Sequence, residues 1–125
     1  MSFQTDGIKT KGKGYKMSKA RVIKFVAVAV KWFDRASSNT YHSVRVTRCR
    51  DGAVVACGMQ YGYEDCYRQT ALAAMTTAKW LPVKYRGKEG NGASKSYMYE
   101  RENNYPILWE VSDGLKRDCI ANGER

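Results

Sequence analysis

Residues 22–33, VIKFVAVAVKWF, constrain the fold most, because such a density of β-branched and aromatic side chains is typical of a buried strand. Read at a period of two, one face of this strand carries Val26, Val28, Val30 and Trp32, and the other carries Phe25, Ala27, Ala29, Lys31 and Phe33. We therefore expect a central strand, around which a sheet is built.

A hairpin is predicted to follow this strand. The next two segments with strand character are residues 41–50 and 53–61. They flank the dipeptide Asp51-Gly52, which suits a two-residue type I′ turn because that turn needs positive φ at both positions. With Asp51 and Gly52 as the loop, Val46 faces Cys57, and one face of the hairpin supplies core side chains.

The hydrophobic period changes after Tyr63. In residues 64–81, EDCYRQTALAAMTTAKWL, the apolar positions follow helical spacing and are Tyr67, Ala71, Ala74, Met75, Ala78 and Leu81. We expect Glu64 and Asp65 in the first turn, where acids complement the positive helix end, and Lys79 in the last turn. Pro82 is predicted to stop the helix.

The remainder of the chain is predicted to be rich in strands. Residues 83–85 are predicted as a short strand, 86–96 as a glycine-rich basic loop, and 97–111 as two strands around Asn103-Asn104, with Ser112 capping a final helix. The predicted class is α+β: an antiparallel sheet with a β-β-β-α core and a β-rich C-terminal tail, and one main helix packed on one face.

Length and charge place this sheet in one domain with a basic extension. The chain has 125 residues, of which 43% are hydrophobic, and we expect a single domain over residues 22–125. Residues 1–21 carry six Lys or Arg against Asp6 alone, which predicts a flexible basic arm. In total, 22 Lys and Arg oppose 12 Asp and Glu, a balance that favours a polyanionic partner.

The cysteines and the termini suggest a reducing compartment. Cys49, Cys57, Cys66 and Cys119 form no C-x-x-C pair, so we expect free thiols rather than a disulfide framework. The basic start is not followed by an apolar run that ends in small residues, which predicts no signal peptide. No apolar stretch approaches the roughly 18 residues of a membrane span, and no membrane partner is expected.

No catalytic or metal-binding pattern is found in the sequence. His42 is adjacent to Ser43 in a strand, so the two side chains point to opposite faces, and we expect the histidine at a strand end near the surface. A zinc site of His42 with Cys49, Cys57 and Cys66 would have irregular spacing and ligands on both faces of the sheet. We therefore expect neither cofactor nor metal.

The order of three strands and a helix resembles that of ribonuclease H folds. That family places a metal-binding Asp within its first strand and a Glu in the body of the helix. Here residues 22–33 hold no acid, and Glu64 and Asp65 come at the very start of the helix. The two-metal site is therefore missing from the sequence, and we expect a protein that is not an enzyme.

Two further resemblances bear on function. The alanine-rich helix after three strands resembles the second half of a double-stranded-RNA-binding domain, but the lysine pair that opens the helix in that family is replaced here by the acidic stretch EDCYR. The motifs NTYHSVRV (39–46) and QYGYEDCY (60–67) resemble a pattern in small uncharacterised phage proteins. This resemblance implies a phage or prophage origin and a cytoplasmic role in a bacterial host cell, but no particular activity.

Basic and aromatic residues give the functional hypothesis, which is binding of nucleic acid mainly through phosphate contacts. The expected contacts in the arm and in the 86–96 loop are Lys9, Lys11, Lys13, Lys16, Lys19, Arg86, Lys88 and Lys95. Arg45, Tyr61 and Tyr63 are expected near one end of the hairpin, where tyrosine rings can stack on bases.

A protein-directed inhibitor of a bacterial defence complex, as anti-CRISPR proteins are, is the alternative. Its target would be a bacterial protein or ribonucleoprotein, bound through a compact, mainly apolar patch. The aromatic residues that could form such a patch are Trp80, Tyr97, Tyr99, Tyr105 and Trp109.

Overall fold

The computed structural model describes residues 21–62, 64–85 and 92–124. Within these ranges the chain forms a four-stranded sheet and three α-helices, which confirms the α+β class. The strands are β1 (Phe25–Asp34), β2 (Asn39–Arg48), β3 (Val54–Tyr61) and β4 (Ile107–Asp113). The helices are α1 (Cys66–Thr77), α2 (Gly92–Glu102) and α3 (Lys116–Asn122), and a 3-10 helix spans Val83–Tyr85.

The sheet is mixed, with the strand order β3-β2-β1-β4. β1 is central, as predicted, and pairs with β2 in antiparallel fashion from Phe25 opposite Arg48 to Asp34 opposite Asn39. The prediction of a purely antiparallel sheet is wrong, because β4 pairs with β1 in parallel. The chain reaches β4 by a long crossover through α1 and α2, and parallel strands require a connection of that kind.

The main core lies between the sheet and α1. Phe25, Ala27 and Ala29 of β1 are buried, and they pack with Leu72 and Met75 of α1. The small alanine side chains on the central strand allow the helix to approach the sheet closely, so the alternation in residues 22–33 determines which face becomes the core.

The opposite face of the sheet is covered by α3. The Asn122 side chain donates hydrogen bonds to the carbonyl oxygens of Val28 at 3.0 Å and Ser43 at 3.2 Å. The buried Cys119 thiol donates to the Val30 carbonyl oxygen at 3.4 Å. The prediction of one main helix on one face therefore needs correction, because α2 packs beside α1 and α3 covers the other face.

The hairpin is present, but its loop is longer than the predicted two residues. β2 ends at Arg48, whose backbone N–H donates to the Ala53 carbonyl oxygen at 2.8 Å, and the Asp51 carboxylate accepts from the Ala53 N–H at 3.1 Å. Val46 consequently faces Val55 instead of Cys57. The register moves by two residues between Val54 and Cys57, which leaves the side chains of this stretch on their predicted faces, and it shifts again between Val44 and His42, where a β-bulge or irregularity places Gln60 opposite His42.

The predicted C-terminal tail is largely helical. Residues 83–85 form a 3-10 helix instead of a strand, and residues 97–102, predicted as a strand, belong to α2. Burial explains the difference, since Ser96, Tyr99 and Glu100 are buried at helical spacing. The second predicted strand does form, as β4, directly after Pro106. Ser112 lies in β4 and does not cap α3.

Candidate nucleic-acid interface

The predicted contact residues that the structure describes do not form one site. Arg45 lies on β2 and donates to the backbone oxygen of Glu124. Tyr61 ends β3 with 61% of its surface exposed, its ring edge-on to that of Tyr41 with the centroids 5.9 Å apart. Lys95 lies in the first turn of α2. Lys9, Lys11, Lys13, Lys16, Lys19, Tyr63, Arg86 and Lys88 lie outside the described residues.

Arg45 and Tyr61 point to the same face of the sheet but lie apart along it. Tyr61 is opposite Tyr41 on β2, and Arg45 is four residues further along that strand, which places the two roughly 13 Å apart in the strand direction. Lys95 belongs to α2, which packs beside α1, on the core side of the sheet.

A different group of cations does converge, around a cleft at the end of the sheet where β1 begins. We call it the basic cleft. Its cationic lining residues are Lys24, Arg48, Arg50, Lys79 and Lys84. Its apolar lining residues include Val22, Ile23, Phe25, Trp80, Leu81 and Pro82, and the volume is about 880 Å³. These residues come from the start of β1, the end of β2 and the hairpin loop, the segment after α1, and the 3-10 helix.

Arg48 is held in place by two groups within the cleft. Its guanidinium donates to both Asp51 carboxylate oxygens, at 3.0 and 2.7 Å, and these charge-assisted bonds lower the pKa of Asp51 to about 2. The guanidinium carbon also lies 4.6 Å from the centroid of the Trp80 ring. The hairpin loop and the end of α1 are thus joined through one planar cation.

Trp80 is fixed by the way α1 ends. The Lys79 N–H donates to the Thr76 carbonyl oxygen at 3.0 Å, and the Trp80 N–H donates to that of Met75 at 2.9 Å, the two hydrogen bonds of a Schellman motif. The Trp80 ring then stacks on Phe25 with the centroids 5.9 Å apart. The predicted helix therefore ends earlier, at Thr77, and Lys79 follows it.

Lys79 occupies the position in this motif where glycine is usual. Its φ is 65°, a left-handed conformation that costs a residue with a side chain roughly 1–2 kcal/mol. Backbone strain of this kind collects at functional positions. The exposed Lys79 side chain makes no ion pair within the described part of the chain.

The cleft keeps an excess of positive charge. Within the ranges that the structure describes, its five cations pair with two carboxylates: Asp51, bound to Arg48, and Glu102, whose oxygen lies 3.8 Å from the Lys84 ammonium. Lys24 has no salt bridge to any residue that the structure describes. Such a concentration of unneutralised cations attracts anions.

Both basic segments predicted to contact nucleic acid join the described chain beside the cleft. Residues 1–20 are connected through Arg21 to Val22, which lines the cleft, and residue 86 directly follows Tyr85, which also lines it. The connectivity therefore places the attachment points of the two segments at this cleft.

The cations of the basic cleft can be recognised in the sequence by their positions near the ends of the predicted elements, but they form no local motif. Arg48 and Arg50 precede the predicted turn, Lys24 precedes β1, and Lys79 follows α1, so these four cations lie at or beside the end of an element. None of them lies in a basic run. The sequence therefore predicts phosphate contacts for the basic runs in residues 1–21 and 86–96 instead.

His42 has an internal role. It is 2% exposed, not near the surface as expected, because Nε2 lies 2.6 Å from the Thr70 hydroxyl and Nδ1 lies 3.2 Å from the Gly62 carbonyl oxygen. Burial lowers the pKa of the imidazole. Among the described residues no group of His, Cys, Asp and Glu could hold a metal ion, and the four cysteines are free thiols.

The aromatic residues predicted for an apolar patch are mostly internal. Tyr99 is buried, and Trp80 and Trp109 pack against the core. Tyr97 and Tyr105 are exposed, the former donating its hydroxyl to Asp65. Three further exposed apolar side chains lie at the sheet end opposite the cleft, and they are Phe33, Tyr61 and Leu115.

Comparison with protein-family models, with curated proteins and with solved structures finds no match for this chain. In the ranges that the structure describes, no helix has both the length and the apolar character that crossing a bilayer would demand.

Proposed function

We propose that this protein binds nucleic acid mainly through phosphate contacts and is not an enzyme. The basic cleft carries the proposal: among the described residues, five cations line it and two carboxylates pair with them. Phosphate contacts supply most of the affinity of sequence-independent nucleic-acid binding, and such cations are what those contacts require. The lysines of residues 1–20 add to the same field, because that segment joins the chain beside the cleft.

The proposal is tested by fluorescence anisotropy with labelled single- and double-stranded oligonucleotides across a series of salt concentrations. Loss of one phosphate contact lowers the slope of log affinity against log salt by about one. We therefore expect Lys24→Gln to weaken binding and flatten the slope. Removal of residues 1–16 should flatten it further, since four lysines are lost.

Arg117→Gln provides the matched control. Arg117 is exposed on α3, on the opposite face of the sheet, and the substitution changes the net charge by the same amount as Lys24→Gln. Equal effects of the two variants would mean that only the overall charge matters, and the cleft would lose its proposed role. Binding that is weak in every case and vanishes at physiological salt would overturn nucleic acid as the ligand.

A protein-directed inhibitor of a bacterial defence complex, encoded by a phage, is the second candidate. The exposed apolar side chains Phe33, Tyr61 and Leu115, at the far end of the sheet from the cleft, favour it. Contiguous exposed apolar patches mark surfaces where one protein binds another. Capture of a bacterial protein that is insensitive to salt and abolished by Phe33→Ser, but unaffected by Lys24→Gln, would support this candidate over the first.

A further inference from the structure

The basic cleft has an apolar floor as well as a cationic rim. Val22 is 62% exposed, Pro82 is exposed, and Trp80 and Ile23 are half-buried, and all four line the cleft. Such a surface does not contribute to phosphate binding, because phosphates are bound by charge and hydrogen bonds. A ligand that matches the whole cleft must therefore offer an apolar surface together with its phosphates.

A duplex does not meet this requirement. Its bases are stacked inside, and it presents phosphates, sugars and base edges to a protein. A single strand presents the faces of its bases as well, and proteins hold single strands by combining cationic grooves with planar side chains on which bases stack. A volume of about 880 Å³ also lies in the range of pockets that enclose a small ligand.

The Arg48 guanidinium is the planar group best placed to receive a base. The guanidinium carbon lies 4.6 Å from the centroid of the Trp80 ring, two hydrogen bonds to Asp51 fix the plane of the guanidinium, and 21% of the Arg48 side chain is exposed. No second aromatic ring of the described residues lies over it. Bases of single-stranded nucleic acid stack on arginine planes as they do on aromatic rings, and a guanidinium that is already fixed loses little entropy on binding.

We propose that the basic cleft receives single-stranded nucleic acid, with one base stacked on the Arg48 guanidinium above Trp80 and the adjacent phosphates on the rim cations. Lys24, Arg50 and Lys79 are exposed at that rim and supply the phosphate contacts. The inference rests on the proposed function, since it names the form of nucleic acid that the same cleft binds.

The decisive variant is Arg48→Lys, which keeps the charge and removes the planar group. Its probes are an oligothymidine longer than the roughly 4–16 nucleotides that single-strand sites span and a duplex of equal length. Because one base stack contributes about 1–3 kcal/mol, we expect the affinity for the single strand to fall at least fivefold. The salt slope should be unchanged, and the affinity for the duplex should stay within about twofold of the original.

Arg117→Lys is the matched control, because it makes the same substitution on α3, at an exposed arginine that does not line the cleft. We expect it to leave the affinity for both probes unchanged. Val22→Ser removes part of the floor without touching the Arg48–Asp51 pair, and we expect it to weaken single-strand binding at high salt, where the phosphate contribution is small. Thermal melting of each variant verifies that the fold is retained.

The outcomes separate this inference from the proposed function. One set of results would overturn the single-strand inference alone. In it, Lys24→Gln lowers the affinity, the original protein binds the single strand and the duplex equally well, and Arg48→Lys changes the affinity for both probes by the same factor. A protein whose affinity is indifferent to Lys24→Gln and Arg48→Lys alike would overturn the proposed function together with it.

Discussion

Substitutions at Lys79 should separate fold stability from binding. The left-handed backbone at φ 65° costs a residue with a side chain roughly 1–2 kcal/mol, and glycine avoids this cost. The greater freedom of glycine in the unfolded chain offsets roughly 0.4–1 kcal/mol of the gain. Both variants lose the same charge, so the comparison isolates the backbone conformation. We therefore expect the free energy of unfolding of Lys79→Gly to be higher than that of Lys79→Ala by roughly 0.5–1 kcal/mol.

The assay is urea unfolding followed by tryptophan fluorescence, together with anisotropy on the same two variants. Their affinities for nucleic acid should fall equally, because each loses one rim cation, and each salt slope should decrease by about one. Equal stability of Lys79→Gly and Lys79→Ala would refute the left-handed conformation and with it the Schellman motif. Original affinity in both variants would refute Lys79 as a phosphate contact.

Two further predictions concern the fold. Burial lowers the pKa of His42 below its ordinary value of 6.5, so the unfolded chain takes up a proton first as the pH falls. The urea midpoint should therefore be level above about pH 6.5 and decrease below it, and His42→Asn should remove this dependence. In Gly123→Ala, the new Cβ would lie 2.7 Å from the Cys57 carbonyl oxygen and from the Gly58 Cα, which should displace α3 and lower the free energy of unfolding by about 1–3 kcal/mol. Gly58→Ala meets no atom within 4 Å and is the control; an equal loss there would contradict the packing argument.

The elements that the sequence predicted well are those with an unambiguous local period. The alternation in residues 22–33 predicted the central strand, and the same alternation separates the core face, with Ala27 and Ala29, from the face beneath α3. The helical period after Tyr63 predicted α1, although not its end. After the helix ends, the Trp80 ring stacks on Phe25. This contact joins two distant segments, and local spacing cannot encode it.

The errors in the predicted secondary structure of the C-terminal part come from residues 97–102, whose pattern fits both the period of a strand and that of a helix. In residues 97–102, Tyr97 and Tyr99 alternate with other side chains as in a strand, whereas burial of Ser96, Tyr99 and Glu100 requires a helix. Glu100 settles the choice through its partners, since its carboxylate accepts from Arg68 on α1 at 2.6 Å and from the Trp109 indole at 3.0 Å. Arg68 is 32 residues away and Trp109 is 9 residues away, and both lie outside residues 97–102.

The basic cleft was missed for a related reason. Its cations come from four short segments that are separate in sequence, where a long charged side chain is not needed in the core. Basic runs attract attention in a sequence, but the lysines of a run repel one another unless a partner is bound. Cations such as Arg48, by contrast, are fixed by the fold before the ligand arrives, here by Asp51 and Trp80. Because less freedom is lost on binding, preorganised cations contribute more affinity for each charge. The salt slope counts the phosphate contacts of the basic runs and of the basic cleft together. Variants of individual cleft residues are therefore needed to assign affinity to the cleft.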